Sequence, residues 1–343
     1  MYKCRNLFFG VVVFISLSCT GLTAYADILK EVKKRGFLSC GMNVGVSGFS
    51  MLNAKGEWTG FDIDFCKALS SAIFNDKSKV KYVPLNAKER FIALQSGEID
   101  VLSRNTSWTL LRETSLGLFF RAITYFDGQG FMMRKKPGIT SALQLSESSI
   151  CVQSGTSTEL TLADYFRANG MKFHPIVFER VEEIDAAYRS NRCDVYSGDI
   201  SALYSLRLST DNPSEHIILP EMISKEPLGP AILQGDSVWS NIVTWTHYAL
   251  VTAEELGITQ KNVDDMLNST NPDVRRFLGS DKNSNIGKSL GLKNDWAYGI
   301  IKNVGNYGEI FNRNLGSGSV LKIPRNHNNL YSKGGLMYAP PIR

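Results

Sequence analysis

The stretch "LQSGEIDVLSRN", residues 94–105, is repeated in outline by "YRSNRCDVYSGD", residues 188–199. Four positions of the two stretches are identical: Ser96 and Ser190, Asp100 and Asp194, Val101 and Val195, Ser103 and Ser197. Each stretch has the pattern of a helix end, a turn and a short strand that is followed by polar residues. The repetition predicts two similar α/β lobes whose strands end at one shared cleft, where ligands of open α/β sheets bind. An ordinary βαβ protein that repeats its crossover unit is the alternative.

The residues before the first copy alternate between helical and strand patterns. "GFDIDFCKALSSAIF" has apolar residues at helical spacing from Ile63 to Phe74, and "KVKYVPL" has the pattern of a strand. "NAKERFIALQSG" predicts a helix that is capped by Asn86 and stops at Gly97, before the strand "EIDVLS". We therefore expect an α/β fold in which each lobe is a mostly parallel sheet flanked by helices.

The composition is that of a globular protein of two domains. The chain has 343 residues, of which 43% are hydrophobic and 21% are charged, and this excludes disorder and collagen-like repeats. The four histidines lack metal-ligand spacing, and the sequence contains no GxSxG, HExxH or P-loop run. The sequence therefore gives little support to an enzyme, and we expect no metal and no cofactor.

Residues 1–26 have the organisation of a secretory signal peptide. Two basic residues precede an apolar run, Leu7–Leu17, that is too short to span a bilayer as an anchor, and "AYA" at 24–26 supplies the small residues of a cleavage site. We expect cleavage before Asp27 and export to the periplasm. A lipoprotein signal ending at Cys19 is a minor alternative, because Ser16 stands where such signals usually have leucine.

The expected mature chain is mildly basic and has four cysteines. The signal peptide removes two basic and no acidic residues, which lowers the formal net charge from +5 to +3. This charge is too small to indicate a nucleic-acid partner. Cys40, Cys66, Cys151 and Cys193 remain, and an even number in an exported chain predicts two disulfides among three possible connectivities. No further apolar run approaches 18 residues, so we expect a soluble protein.

Polar and charged residues follow both strands of the repeat. Those after the first strand are Arg104, Asn105, Thr106, Ser107 and Arg112, and those after the second are Ser197, Gly198 and Asp199. A cleft between them offers a cation on one side and an anion on the other. Because a buried charge must be paired, a zwitterion such as an α-amino acid fits this cleft. Arg112 would bind the carboxylate through two hydrogen bonds, and Asp199 would bind the ammonium.

A helix start in "SGTSTELTLADYFRANG" provides a second group of donors. Thr156 and Glu159 have the spacing of a capping box, and an amphipathic helix pattern continues to Gly170. The free N–H groups of Thr156, Ser157 and the following threonine would point towards the cleft and favour a carboxylate there. An ordinary helix cap without a ligand is the alternative.

Long motifs throughout the mature chain resemble those of a known family. They are "GEWTGFDIDFCKAL", "KYVPLNAKERFIALQSGEIDVLSRNTSWTLLRETSLGL", "DGQGFMMRK", "QSGTSTELTLADYFRANGMK", "RCDVYSGDISALYSLRL", "SKEPLGPAI", "NDWAYGIIKNVGNYGEIFNRNLG" and "GGLMYAPPIR". The sequence resembles the periplasmic solute-binding proteins of polar amino-acid import, and most closely the general L-amino-acid-binding subfamily of an ATP-driven transporter.

The resemblance implies roles for individual residues. Arg112 would hold the ligand α-carboxylate with the amide donors of Thr156 and Ser157, and Asp199 would hold the α-ammonium with Asn105 and Ser107. Thr106 belongs to the same polar loop. Side-chain pocket positions would be Asn43, Val46, Ala87, Arg90 and Gln153. Arg90 matches an arginine of acidic-amino-acid binders, so acidic ligands are allowed, although a solvated charge on a helix is the alternative.

The same resemblance implies a two-lobed periplasmic-binding-protein fold. Lobe 1 would comprise residues 27–132 and 231–343, lobe 2 residues 133–230, and two crossing strands would form a hinge that closes on the ligand. Helical patterns in 252–292 would add helices to lobe 1. Disulfides should form within lobes. Cys40 and Cys66 both lie in the first βα unit, and Cys151 and Cys193 lie on strands expected to be neighbours. A bridge between lobes would also oppose closure.

The expected function is therefore the capture of L-amino acids by a monomer that delivers them to the membrane permease of an importer. An enzyme on the same fold, similar to cyclohexadienyl dehydratase, is the alternative from another class. The ligand-sensing domain of a receptor is a third and less favoured class.

Overall fold

The computed structural model describes residues 27–281 and 283–343. The predicted signal peptide, residues 1–26, lies outside the described residues. The strands of the described part are β1 Leu38–Met42, β2 Met51–Leu52, β3 Trp58–Thr59, β4 Val80–Pro84, β5 Val101–Leu102, β6 Leu118–Phe120, β7 Tyr125–Asp127, β8 Gln129–Arg134, β9 Ser149–Gln153, β10 His174–Phe178, β11 Val195–Asp199, β12 His216–Ile218, β13 Glu226–Leu228 and β14 Ala231–Leu233.

The helices of the described part are α1 Ile28–Arg35, α2 Phe61–Phe74, α3 Glu89–Gln95, α4 Leu110–Ser115, α5 Ser157–Ala168, α6 Val181–Arg189, α7 Ile200–Ser209, α8 Ser237–Glu255, α9 Val263–Met266, α10 Pro272–Leu278, α11 Ile286–Ser289, α12 Trp296–Val304 and α13 Tyr307–Asn314. Single 3₁₀ turns occur at Ala142–Gln144, Pro213–Glu215, Asn326–Asn328 and Tyr331–Lys333. Within residues 27–281 and 283–343, none of the helices combines the length and hydropathy needed to cross a bilayer.

Two five-stranded sheets form the framework and confirm the predicted two-lobed α/β fold. Their strand orders are β4-β1-β5-β14-β6 and β10-β9-β11-β8-β12. In each sheet the first three strands run parallel and the last two pair antiparallel. The antiparallel part arises because β8 and β14 enter their sheets directly from the connection between the lobes, without a crossover helix. The repeated stretches supply β5 and β11, which occupy the same central place in the two sheets.

The chain passes between the two sheets twice, at β7 and β13. These strands pair antiparallel, with Asp127 opposite Glu226 and Tyr125 opposite Leu228. A single residue separates β7 from β8 of the second sheet, and two residues separate β13 from β14 of the first sheet. The predicted boundaries, 27–132 with 231–343 and 133–230, stay a prediction, and β8 spans one of them.

Local sequence signals explain several of the elements near the cleft. The helix α2 begins directly after Gly60, which has φ +135° and where a Cβ atom would lie 2.1 Å from the backbone oxygen of Phe49. The helix α3 begins at Glu89, later than the predicted cap, because Asn86 Oδ1 accepts the N–H groups of Lys88 and Glu89 in the turn before it. The helical patterns predicted in 252–292 correspond to the end of α8 and to α9, α10 and α11.

Both predicted disulfides are present. Cys40 of β1 is bonded to Cys66 of α2, and Cys151 of β9 is bonded to Cys193, two residues before β11. The first bridge joins β1 to a helix that packs against it, and the second joins β9 to the segment that leads into its neighbouring strand β11. The predicted pairing of Cys40 with Cys66 and of Cys151 with Cys193 is thereby confirmed.

Candidate functional site

A polar cavity lies between the two sheets, at the carboxyl ends of β1, β5, β9 and β11. Nine of the ten residues predicted to bind a ligand line it: Asn43, Arg90, Asn105, Ser107, Arg112, Gln153, Thr156, Ser157 and Asp199. Of the additional side-chain positions, Val46 lines the cavity and Ala87 does not. Parallel strands present their carboxyl ends at one edge of a sheet. The polar residues that follow β5 and β11 therefore meet at the cavity.

Arg112 is a buried guanidinium with free donors. It lies in α4, whose N-terminus is capped by the Thr109 hydroxyl, and it is 8% exposed. Its Nη1 donates to the backbone oxygen of Ser107 at 2.7 Å, and its guanidinium carbon lies 5.2 Å from the ring centre of Phe91. Burial lowers the pKa of Arg112, although Glu226 and Asp199 oppose this shift. One backbone bond leaves donors available for a bidentate carboxylate.

Arg90 is also buried, and Thr106 holds it in place. Arg90 is 2% exposed, so its alternative interpretation as a solvated helix charge is wrong. Its Nη1 donates to Thr106 Oγ1 at 3.2 Å, and its Nη2 donates to the backbone oxygen of Gly155 at 3.4 Å. The Thr106 hydroxyl donates to the backbone oxygen of Arg104 at 2.7 Å. Thr106, the tenth predicted ligand residue, is fully buried behind the wall and is not brought into the cavity.

Two asparagines and an aspartate shape the loop after β5. Asn43 Nδ2 donates to Asn105 Oδ1 at 2.9 Å. Asn105 has φ 28°, and its backbone N–H donates to Asp62 Oδ2 at 2.8 Å. Burial raises the pKa of Asp62 to about 7, although the N–H of Asn105 and the charge of Arg104 oppose the shift. Asp62 is a positioning residue that sequence reasoning missed, since an acid in the first turn of a helix is ordinary.

The start of α5 provides backbone donors at the opposite wall. Thr156 is the N-cap, as predicted, and its hydroxyl accepts the N–H of Glu159 at 3.4 Å. No described residue accepts the backbone N–H of Thr156, Ser157 or Thr158. The preceding Gly155 has φ +72°. These three N–H groups, together with the partial positive charge of the helix terminus, favour an anion.

Asp199 is the acid of the cavity wall, and two other carboxyl groups lie near it. Burial raises the pKa of Asp199 well above its usual value, the charges of Asp127 and Glu226 add to the shift, and Arg90 and Arg112 oppose it. Burial also raises the pKa of Asp127 to about 6. A cation beside Asp199 would favour its ionised form. The cavity therefore offers a cationic side and an acidic side, as expected from the sequence.

Glu226 connects the two sides of the cavity and was missed by sequence reasoning. It is 2% exposed. The hydroxyls of Ser157, at 2.9 Å, and Ser224, at 2.7 Å, donate to it, and so does the hydroxyl of Ser107. Ser107 follows β5 and Ser157 begins α5, and their hydroxyl oxygens lie 3.4 Å apart. The signal available in the sequence was a single acid in the otherwise apolar run "EPLGPAI".

Known proteins match the chain over nearly its whole length. The family described as "Bacterial extracellular solute-binding proteins, family 3" matches residues 38–317. The "General L-amino acid-binding periplasmic protein AapJ" of Rhizobium johnstonii is 63% identical over 340 residues, covering 99% of this chain and 100% of that protein. The "Glutamate/glutamine/aspartate/asparagine-binding protein BztA" of Rhodobacter capsulatus is 46% identical over 340 residues, covering 99% of both.

A solved structure is similar to the same extent. The "ABC transporter / periplasmic binding protein from Brucella ovis with glutathione bound" has a TM-score of 0.91 and 60% sequence identity, and the match covers 93% of this chain and 100% of that chain. The relatives are named as binding proteins, and AapJ is named as periplasmic. By its sequence, its fold and the position of its cavity, the chain belongs to family 3 of the bacterial extracellular solute-binding proteins.

Proposed function

We propose that the protein captures L-amino acids of many side-chain types in the cavity and delivers them to the membrane permease of an ATP-driven importer. The observation that carries this proposal is the presence, in one cavity, of the buried Arg112, the free N–H groups at the start of α5 and the acid Asp199. A ligand with both a carboxylate and an ammonium pairs these groups, which are costly to bury alone. The names of AapJ and BztA support amino acids as the ligand class.

In this proposal the ligand backbone determines how the ligand is oriented. Arg112 and the N–H groups of Thr156 and Ser157 bind the α-carboxylate, and Asp199, Asn105 and Ser107 bind the α-ammonium. The ligand side chain lies among Asn43, Val46, Arg90 and Gln153. Because the charges that bind are those of the backbone, which every α-amino acid shares, the expected specificity is broad.

We further propose that the protein works as a monomer in the periplasm after cleavage of residues 1–26. Residues 27–132 with 231–343 form one lobe and 133–230 the other, and β7 and β13 act as the hinge on which the lobes close. Contacts across the cavity, between Ser107, Ser157 and Glu226 and between Lys88 and Glu179, support a closed arrangement of the described chain.

Glutathione is a second candidate ligand, because the similar Brucella ovis protein has it bound. The γ-glutamyl end of this tripeptide carries a free α-carboxylate and a free α-ammonium. Arg112 and Asp199 would therefore bind it in the same way as an amino acid.

Calorimetric titration of the purified protein with the twenty L-amino acids and glutathione tests the function. We expect several L-amino acids to bind at one site per chain. Tight binding of one amino acid alone, or of sugars or metal ions instead, would contradict the proposal. NMR spectra of the same mixtures should show the ligands unchanged, whereas their conversion would favour an enzyme on the same fold.

A further inference from the structure

Arg104 is a second buried guanidinium in the cavity wall whose donors are only partly used. It is 3% exposed, and its Nε donates to the backbone oxygen of Leu85 at 2.9 Å. Its Nη2 is buried and has no hydrogen-bond partner among the described residues, and the same is true of Arg90 Nε. A buried charged donor without an acceptor costs free energy that an incoming acceptor recovers.

No carboxylate of the described residues forms a direct ion pair with the cavity arginines. Within residues 27–281 and 283–343, no carboxylate forms a salt bridge within 4.0 Å of a nitrogen of Arg90, Arg104 or Arg112. Three acids act on Arg104 over a longer distance: Asp62, which has the largest effect and whose carboxylate accepts the N–H of Asn105, and then Asp199 and Glu89. Burial raises the pKa of Asp62 to about 7, so that this acid is only a partial counter-charge at neutral pH.

The backbone charges of an amino-acid ligand do not provide an acceptor for Arg104. The charged residues that line the cavity are Arg90, Arg104, Arg112 and Asp199. The buried Glu226, which accepts hydrogen bonds from Ser107 and Ser157, adds a further acid beside them. The backbone of an amino acid adds one negative and one positive charge. Its carboxylate binds Arg112 in the proposed function, so Nη2 of Arg104 stays without an acceptor. Burial lowers the pKa of Arg104 to about 10, which reflects the cost of keeping this cation away from water. A second negative charge on the ligand removes that cost.

Arg104 also lies where a ligand side chain can extend. A second cavity adjoins the first and shares Arg104, Gln153 and Val181 with it. Its other charged lining residues are Glu89, Arg180 and Glu182. Residues that line both cavities form the junction between them. A side chain that leaves the first cavity towards the second therefore passes Arg104.

We propose that Arg104 is the main binding group of an anion subsite, which recognises a second carboxylate at the end of the ligand side chain. The inference rests on the proposed function and deepens it: within a broad range, acidic L-amino acids are the preferred ligands. Arg90, held by Thr106 and Gly155, supports the same subsite. The guanidinium of Arg104 binds the second carboxylate through its Nη2, the donor that the chain leaves unused.

The first test uses the unaltered protein and two ligands of nearly the same shape. L-Glutamate and L-glutamine differ at the side-chain end, where one has a carboxylate and the other a neutral amide. Calorimetry should give a dissociation constant for glutamate at least tenfold below that for glutamine. A difference below threefold overturns the subsite while leaving the proposed function intact, and failure of both ligands to bind overturns the two together.

The second test assigns the preference to Arg104. In Arg104→Gln the ratio of glutamate to glutamine affinity should fall at least tenfold, and Arg104→Lys should restore only part of it because lysine lacks the planar fork. The matched control is Arg192→Gln, because Arg192 is exposed and lines neither cavity. It should keep the ratio of the unaltered protein.

Thermal unfolding of each variant checks that it is folded, and the use of a ratio removes any loss that both ligands share. An Arg104→Gln protein with an unchanged ratio overturns the assignment to Arg104. A variant that fails to fold leaves the comparison of glutamate with glutamine on the unaltered protein as the decisive measurement, with the threefold limit given above.

Discussion

The arginines of this protein differ in how the chain compensates their charge. Arg325, outside the cleft, donates from Nη1 and Nη2 to the two carboxylate oxygens of Glu254, at 2.5 and 3.1 Å. Its side chain is 15% exposed, and that of Glu254 is 10% exposed. The cavity arginines, Arg90, Arg104 and Arg112, are buried more deeply, yet no carboxylate of the described residues pairs with them.

The difference separates a structural charge from a binding charge. A buried ion that is paired within the chain is part of the folded state, and removal of one partner leaves the other buried and unpaired. A buried ion without a partner costs free energy in the empty protein, and a ligand with the opposite charge recovers it. Loss of a paired arginine should therefore reduce stability, whereas loss of an unpaired arginine should reduce affinity.

The largest expected effect is on affinity in Arg112→Ala. The variant leaves the ligand carboxylate buried without its main partner, which costs roughly 3–5 kcal/mol, or more than a hundredfold in dissociation constant. Arg112→Lys should recover part of this loss, since it restores the charge without the bidentate fork. Fluorescence titration with a bound amino acid measures both. An affinity equal to that of the unaltered protein would show that Arg112 serves the fold.

The next effect is on stability in Arg325→Ala. This change leaves Glu254 buried without its partner, and the free energy of unfolding should fall by about 3 kcal/mol. Urea unfolding of the ligand-free protein measures it, with Arg112→Ala as the matched control that should be destabilised much less. If the two variants lose stability equally, the distinction between paired and unpaired arginines fails.

A smaller loss of affinity is expected for Asp199→Asn. The ligand ammonium loses its counter-charge, and the cost is about 2 kcal/mol, the range of a hydrogen bond to a charged group. This cost is smaller than the cost for Arg112. The pKa of Asp199 is raised, so ionising Asp199 consumes part of the binding energy even in the unaltered protein. Titration with an analogue that lacks the α-ammonium should be much less sensitive to the substitution. The exposed Asp211→Asn is the control, and an equal loss there would refute the assignment.

The last effect, which is the smallest when expressed per pH unit, is the dependence of stability on pH through Asp62. Its pKa is raised from 3.8 to about 7 in the folded protein, so the folded state keeps a proton that the unfolded state has lost. The resulting stability is fully present below pH 3.8 and is lost as the pH rises through about 7. The slope is at most about 1.4 kcal/mol per pH unit.

The measurement compares unfolding free energies of the unaltered protein and Asp62→Asn from about pH 4 to about pH 8. The stability advantage of the unaltered protein should shrink as the pH rises. A constant difference would mean that Asp62 is ionised throughout and compensates Arg104, which would remove Arg104 from the group of uncompensated arginines.

Local signals made much of the architecture predictable from the sequence. The repeated stretches predicted two equivalent central strands, and β5 and β11 occupy these places. The Thr156 cap was predicted because it involves residues only three apart, and the disulfides followed from cysteines on neighbouring elements. The helix α3 began later than expected because Asn86 caps a turn that the periodicity does not distinguish from a helix.

The sequence by itself determined which elements form, where their polar ends lie and which charges gather at the cleft, because periodicity, caps and strand exits depend on close neighbours. Tertiary packing alone decided which of these charges stay unpaired. Glu226 receives hydrogen bonds from serines 119 and 69 residues away, Thr106 turns behind the wall to hold Arg90, and Arg104 is buried beside an acid with a raised pKa. Burial and pairing of these side chains depend on residues distant in the chain, and the local sequence patterns did not identify these partners.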